Sequence, residues 1–351
     1  MSPVRTARSR RLHRLAATMF AVALGGCVTT PLEPVDSSHY SEGRFHNIGT
    51  YSEPVATRDE WARHARQMFF GLFPDADTLP PRHVLSVPEA EAGVRQAAAA
   101  AFSVTWIGHA TTLTRIGGQW VMTDPVLGDT IGAGPVRLAR LAPPRPVPSG
   151  LPPIDVIVIS HADHDHLDLG SLRRLARRNP RTTVYVPLAT ADLVRRAGFS
   201  DVRELYWFAT DRHGDLTVQA VPAIHGVRRP PYRLNAMSWS GWILESGEDR
   251  LYFSGDTGYG SIFEEIRRRS GPVDVALVPI GAWSPRWFQE PFHVSPDQAA
   301  EIAATMGATT AIGIHWGTFP LSEEAPMEQR RRFLAAGGVV PRIGETLVLR
   351  R

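Results

Sequence analysis

Lysine is absent from the 351-residue chain, and cysteine occurs once. One thiol excludes a disulfide framework and any zinc module built on several cysteines. All 38 basic side chains are therefore arginine, opposed by 35 acids, and the net charge of +3 excludes a strongly basic nucleic-acid tail. Long apolar runs are scarce as well. Beyond the first residues no segment is long and unbroken enough to cross a bilayer, so the chain from about residue 37 onward is expected to be soluble once detached from Cys27. What is present, 43% hydrophobic and 21% charged residues with 30 Gly and 29 Pro, is the composition of a folded globular protein with a sizeable core.

The charge is unevenly placed. Arg5, Arg8, Arg10, Arg11 and Arg14 precede the first apolar run with no acid among them; without those five the +3 becomes −2. An apolar run at 15–24, too short to span a bilayer, leads to Leu24-Gly25-Gly26-Cys27. This resembles a bacterial lipoprotein signal, with the lone Cys27 where the lipid-acceptor thiol belongs. The resemblance implies removal of 1–26 and a soluble domain held at a membrane surface by a lipidated Cys27. Ser9-Arg10-Arg11 also resembles a twin-arginine export signal. Val28 follows the cysteine where retained inner-membrane lipoproteins usually carry Asp, which favours the periplasmic face of the outer membrane in the cell envelope.

From 29 to 101 the chain is rich in turn formers, with one amphipathic helix expected at 60–70, a Pro-rich passage at 79–88 and an alanine run at 97–101 that reads as a linker. The expected division is thus a leader at 1–26, a tether and extension at 27–101, and a catalytic domain at 102–351. In that domain short apolar runs at 104–107, 120–122, 154–159, 184–186, 216–221, 251–253, 275–280 and 311–314 alternate with helical segments, an α/β pattern of buried strands. Ser295-Pro296-Asp297-Gln298 predicts a helix start with an N-cap, Pro at the first helical position and a capping Gln; Gly307 ends it.

Metal-ligand residue types gather just past these strands. The run at 154–159 enters Ser160-His161-Ala162-Asp163-His164-Asp165-His166-Leu167-Asp168; 216–221 leads to His225, 251–253 to Asp256 and 311–314 to His315. Carboxyl ends of strands in open α/β sheets are where ligands bind. Three His and three Asp within residues 161–168 would repel or desolvate one another unless a cation neutralised them. His and carboxylate without thiolate suit zinc, iron or manganese. In an extended turn alternate residues share a side, so His161, Asp163 and Asp165 face a common site, His164 faces away, and His166 rejoins them.

Several ordered blocks resemble metallo-β-lactamase-fold hydrolases, specifically the subgroup that includes N-acyl-phosphatidylethanolamine-hydrolysing phospholipase D. They are residues 104–111, Thr123-Asp124-Pro125, the 161–168 cluster, 253–259, 279–283, Pro285-Arg286-Trp287-Phe288, His293-Val294 and 314–319. The resemblance covers about 102–349 and implies an αββα sandwich with a dinuclear metal site at the edge where the two sheets meet. It assigns His161, Asp163 and His225 to a first metal, Asp165, His166 and His315 to a second, and Asp256 to both. Two divalent ions are implied, zinc first, with iron or manganese as alternatives at the site containing Asp163, which stands where the family motif His-x-His-x-Asp-His has its second His. A hydroxide shared by the ions is the implied nucleophile, placed with help from Asp165. His109, Asp124 and His293 are expected behind the ligands, orienting them.

Arg228, Arg229 and Arg233 after His225, and Trp283, Arg286, Trp287 and Phe288 after another strand, suit an anionic amphiphile. The run Arg173, Arg174, Arg177, Arg178 and Arg181 reads as a solvated helix face. The expected function is a lipid-anchored phosphodiesterase acting on a phospholipid or related amphiphile. Lactone or β-lactam hydrolysis, and a non-catalytic metal- or lipid-binding lipoprotein, are the alternatives.

Overall fold

Strands that are apolar along their whole length need cover on both faces, and the chain supplies it by stacking two sheets and placing helices outside them. The computed structural model describes residues 39–51, 59, 79–133, 136–146 and 148–351. Cys27, its leader and the helix expected at 60–70 lie outside the described residues. In chain order the elements are β1 (Tyr40–Ser41), β2 (Arg44–Phe45), α1 (Val87–Ala98), β3 (Phe102–Gly108), β4 (Thr111–Ile116), β5 (Gln119–Thr123), β6 (Thr130–Ala133), β7 (Val136–Ala139) and β8 (Val156–Val158). Then follow α2 (Leu169–Arg178), β9 (Thr183–Pro187), α3 (Ala191–Arg195), β10 (Asp201–Leu205), β11 (Thr210–His213), β12 (Leu216–Val221), β13 (Gly241–Ser246), β14 (Asp249–Phe253) and α4 (Ile262–Ser270). The last are β15 (Val275–Pro279), α5 (Arg286–Gln289), α6 (Pro296–Thr305), β16 (Thr310–Ile314), α7 (Pro326–Ala335) and β17 (Thr346–Arg350).

One sheet has the order β10-β9-β8-β5-β4-β3-β17, the other β11-β12-β13-β14-β15-β16, and β1-β2 and β6-β7 are separate hairpins. In the first sheet β5 pairs parallel with β8 and β8 with β9. Antiparallel β4 lies between β3 and β5, so β3 runs with β5. In the second sheet β14, β15 and β16 are parallel, and β12 takes the same direction through antiparallel β13. Six strand ends that matter below, those of β3, β5 and β8 and those of β12, β14 and β16, therefore sit at one edge of each sheet.

A single apolar cluster joins the sheets: Trp106, Val121, Val158 and Tyr185 from the first pack with Leu216, Val218, Trp242, Leu244, Phe253 and Leu277 from the second. The Tyr185 and Trp242 rings lie 6.5 Å apart. Each such large apolar side chain contributes about 1.5–3 kcal/mol by leaving water. Near the functional edge the sheets touch through polar backbone: Trp242 Nε1 donates to Ile159 O at 3.0 Å and Ser240 N to Ser160 O at 2.8 Å. Gly255, at φ +60°, fits there because a Cβ would come within 2.5 Å of Ser160 Cβ.

All eight expected strands appear, and α6 begins at the expected cap, with Ser295 and Gln298 forming the reciprocal box and Gly307 at φ +76° just past its end. The alanine run at 97–101 is not a linker. It closes α1, which opens on a second capping box at Ser86 and Glu89 and buries Ala90, Val94 and Ala97 before turning into β3.

Candidate metal centre

The strand ends deliver the side chains. Past β8, His166 N and Leu167 N both donate to Asp163 O, at 3.1 and 2.8 Å, which curls residues 163–167 into one turn. Asp168 then caps α2 by accepting from Gly170 N and Ser171 N at 3.1 and 2.8 Å. This turn directs His161, Asp163, Asp165 and His166 into shared clusters and leaves His164 out of them. β12 delivers His225, β14 Asp256, β16 His315, β3 His109 and β5 Asp124.

Donor atoms fall into overlapping groups, each with its members within 4.8 Å of one another: His161, Asp163 and His225; His109, Asp165, His166 and His315; Asp124, His161 and His166; Asp256, His293 and His315. The first two are the two metal sets expected from the sequence, with His109 added to the second. Asp256 Oδ2 lies 3.0 Å from His166 Nε2 and 3.1 Å from His315 Nε2, and Asp165 Oδ2 is 3.6 and 3.7 Å from the same nitrogens. The residues fit a cation: His161 Nε2, His225 Nε2, His293 Nδ1 and Asp256 Oδ1 are buried without a hydrogen-bond partner, which is costly unless something else binds them. His/Asp clusters of this kind suit divalent metals bound through nitrogen and oxygen.

In two of the imidazoles the opposite nitrogen is already committed, which orients the ring. His166 Nδ1 donates to Asp124 Oδ2 at 2.6 Å, and His225 Nδ1 to Phe292 O at 3.2 Å, so each Nε2 is left facing the centre. Ser160 supports the same arrangement, giving its N–H and its hydroxyl to Asp124 at 2.7 and 2.5 Å. Three of the residues pay in backbone strain: His109, Asp124 and His315 have φ of +54°, +32° and +59°, conformations non-glycine residues adopt at a cost of order 1–3 kcal/mol.

Burial pushes the His225 imidazole down to about 4 and those of His109 and His293 to about 3, so these rings are neutral at pH 7. His315 behaves oppositely: burial depresses it, but Asp256 and hydrogen bonds to Asp165 and Asp256 carry it up to about 9. His166 is raised well above its usual value for the same reason, against burial, by Asp256 and Asp165. Those carboxylates are in turn held well below their usual range, burial being outweighed first by His166. Asp163 is pushed up to about 8, by desolvation and then by Asp165.

Asp163 Oδ1 accepts from Arg228 N at 2.7 Å, which ties the loop after His225 to the metal-ligand turn. Arg229, expected to meet substrate, is instead buried and braces that turn, donating to Ala162 O and Leu167 O at 2.6 and 3.0 Å. Arg286 is likewise occupied, by Glu290 at 3.0 Å, Gln298 at 3.2 Å and His293 O. A buried carbonyl needs a donor as much as a phosphate does, and here carbonyls hold Arg229 while a carboxylate and an amide hold Arg286. Arg228 remains exposed beside the site, Trp287 is half-buried, and Trp283 lies under the Arg332 guanidinium at 4.5 Å.

Two residues escaped the sequence reading. Ser160 was visible as a neighbour of the cluster. Asn47 carried no signal: it clamps the backbone of His225, accepting from its N–H at 3.0 Å and donating to its carbonyl at 2.9 Å, while also accepting from Trp239 Nε1.

Residues 119–316 match the family described as "Beta-lactamase superfamily domain". The chain is 38% identical over 231 residues to N-acyl-phosphatidylethanolamine-hydrolyzing phospholipase D 1 of Caenorhabditis elegans, which covers 62% of this chain and 64% of that protein, so the match spans just under two thirds of the relative. An uncharacterized protein of Mycobacterium tuberculosis is 33% identical over 333 residues, 93% of this chain and 86% of its own. Among solved structures, a possible metal-dependent hydrolase from Veillonella parvula superposes with a TM-score of 0.57 at 20% identity, over 72% of this chain and 100% of that one; at that identity the likeness concerns the fold.

Proposed function

The chain belongs to the β-lactamase superfamily as a metal-dependent hydrolase of metallo-β-lactamase fold, and from that premise we propose that it is a phosphodiesterase of phospholipase D type, acting on a phospholipid or related amphiphile. The observation that carries the reading is the convergence of His161, Asp163, His225, Asp165, His166, Asp256 and His315 from both sheets on one buried edge. The nematode relative's name supplies the substrate class.

His161, Asp163 and His225 would hold one divalent ion and Asp165, His166 and His315 the other; Asp256, within 3.1 Å of both His166 and His315, lies against the second set, and its service to the first ion rests on the family resemblance. When bound, such ions act as Lewis acids on a phosphoryl oxygen and bring the pKa of water toward neutrality. Asp165, hydrogen-bonded by His109 Nε2 at 3.1 Å, is placed to accept a proton from the attacking water. Water adds to phosphorus, the bond from phosphorus to the headgroup oxygen breaks, and the departing alcohol takes up a proton. Arg228, exposed next to Asp163, is positioned to meet the substrate's second anionic oxygen. The same reading places the protein in the cell envelope, attached through Cys27.

The test compares purified protein on a phospholipid dispersion, an aryl phosphodiester, a lactone and a chromogenic β-lactam. Headgroup release with phosphatidic acid as co-product supports the proposal. Turnover of the lactone or lactam alone replaces it with carbonyl hydrolysis, and no turnover by protein with its metals bound replaces it with a binding role.

A further inference from the structure

The loop that follows His225 is built as a small closed unit. Val227 N donates to Asn235 Oδ1 and Asn235 N to Val227 O, both at 2.9 Å, so residues 227 and 235 are pinned together and the chain between them projects. Within it Tyr232 N donates to Arg229 O at 2.9 Å, and buried Arg229 anchors the base beneath the metal-ligand turn. The tip is another matter. Tyr232 and Leu234 are 39% and 53% exposed, two of the five large hydrophobic side chains exposed among the described residues; exposed Arg233 lies between them and exposed Arg228 precedes them. No acid occurs between Asp215 and Glu245.

We propose that residues 228–234 dock on an anionic lipid surface, Tyr232 and Leu234 entering the interface and Arg228 and Arg233 pairing with headgroup phosphates. A rigid loop with two apolar tips is too small for a stable protein interface, which needs roughly 1,200–2,000 Å². It suits a bilayer boundary, where an aromatic ring and an aliphatic tip sit at headgroup depth and arginines reach back to the phosphates. Each basic residue near such a surface is worth about fivefold in affinity. Because Arg228 N holds Asp163, docking brings the metal centre to the membrane boundary. Phe45 N donates to Asn235 O at 2.9 Å, so β2 runs beside the base of this loop. The inference rests on the phospholipid reading and specifies how the site reaches that substrate.

The test uses the full chain carrying Cys27→Ser, which removes the only thiol, and adds Leu234→Cys labelled with an environment-sensitive fluorophore. Asp215→Cys, in the turn at the far end of β12, is the control label. With vesicles of phosphatidylcholine and phosphatidylglycerol, the label at 234 is expected to shift to the blue and the label at 215 to stay as in water; with phosphatidylcholine alone the shift should be lost. Arg233→Gln should weaken vesicle affinity about fivefold. No shift at 234, equal shifts at both positions, or a shift indifferent to phosphatidylglycerol overturns the proposal. The fluorescence needs no turnover, so its failure is separate from a failure of headgroup release, which is measured on its own.

Discussion

The metal centre joins two regions built in opposite ways. The turn at 161–168 is local: four of its inward residues are near neighbours in sequence, and its shape comes from Asp163 O and the Asp168 cap within the same few residues. The other half, His225, Asp256 and His315, is assembled from three strands of the second sheet and is held from a distance, by Asn47, by Phe292 O and by the strained backbone at His315. The local half is dense enough to announce itself. The scattered half is isolated residues, each unremarkable alone, whose placement depends on the whole fold.

The most severe way to break the comparison is to remove a scattered residue that meets the local turn directly, as Asp256 does at His166 and His315 does at Asp165. Asp256→Ala and His315→Ala are each expected to lose one ion and all measurable hydrolysis, with circular dichroism showing the fold retained, since both side chains lie past strand ends. Retention of bound metal and normal turnover in either variant would remove that residue from the site.

Next in size are the supports. Asp124→Asn, which takes the carboxylate from His166 Nδ1, and Asn47→Ala, which releases the His225 backbone, are each expected to cost about 10–100-fold in metal affinity or activity. Metal titration followed by calorimetry checks this. If Asn47→Ala behaves as wild type, the extension does not support the scattered half.

These supports mark where the sequence stopped being readable. Asn47 and His225 are 178 positions apart, and only the folded chain brings them together. Arg229 and Arg286 lie close to site residues in sequence, and sequence alone cannot tell a guanidinium that binds phosphate from one that, like Arg229, satisfies buried carbonyls or, like Arg286, pairs with a neighbouring carboxylate. The alanines at 97 and 98 close a helix and do not form a linker, because alanine is the strongest helix former and the Ser86 and Glu89 box starts that helix, a signal identical in kind to the one at Ser295. Strands β4, β10, β11, β13 and β17 went unforeseen because threonine, charge or a flanking loop interrupts their apolar pattern, and pairing with neighbours decides their state.

Smaller effects sharpen the local half. Asp163→His removes one negative charge from the first group and is expected to shift bound metal toward zinc and move the acidic limb of the pH–rate profile downward. His164→Ala should change neither, because His164 lies outside the clusters. Exchange of those two sensitivities would mean that His164 is the ligand. The smallest expected effect is in proton release. With His166 raised well above its usual value, His315 carried up to about 9 and Asp163 to about 8, all three favour the protonated form at pH 7 and must lose those protons to bind metal. Metal uptake should therefore release protons, and affinity should rise with pH between 6 and 9; affinity constant over that range would contradict these protonation states.

The central claim is that local and scattered halves together make two metal sites and not one. The direct measurement is metal content by mass spectrometry on the purified protein and on His225→Ala and His166→Ala. Two ions per chain in the wild type, with one remaining in each variant, is the expected result. One ion per chain in the wild type, or two retained in either variant, contradicts the account.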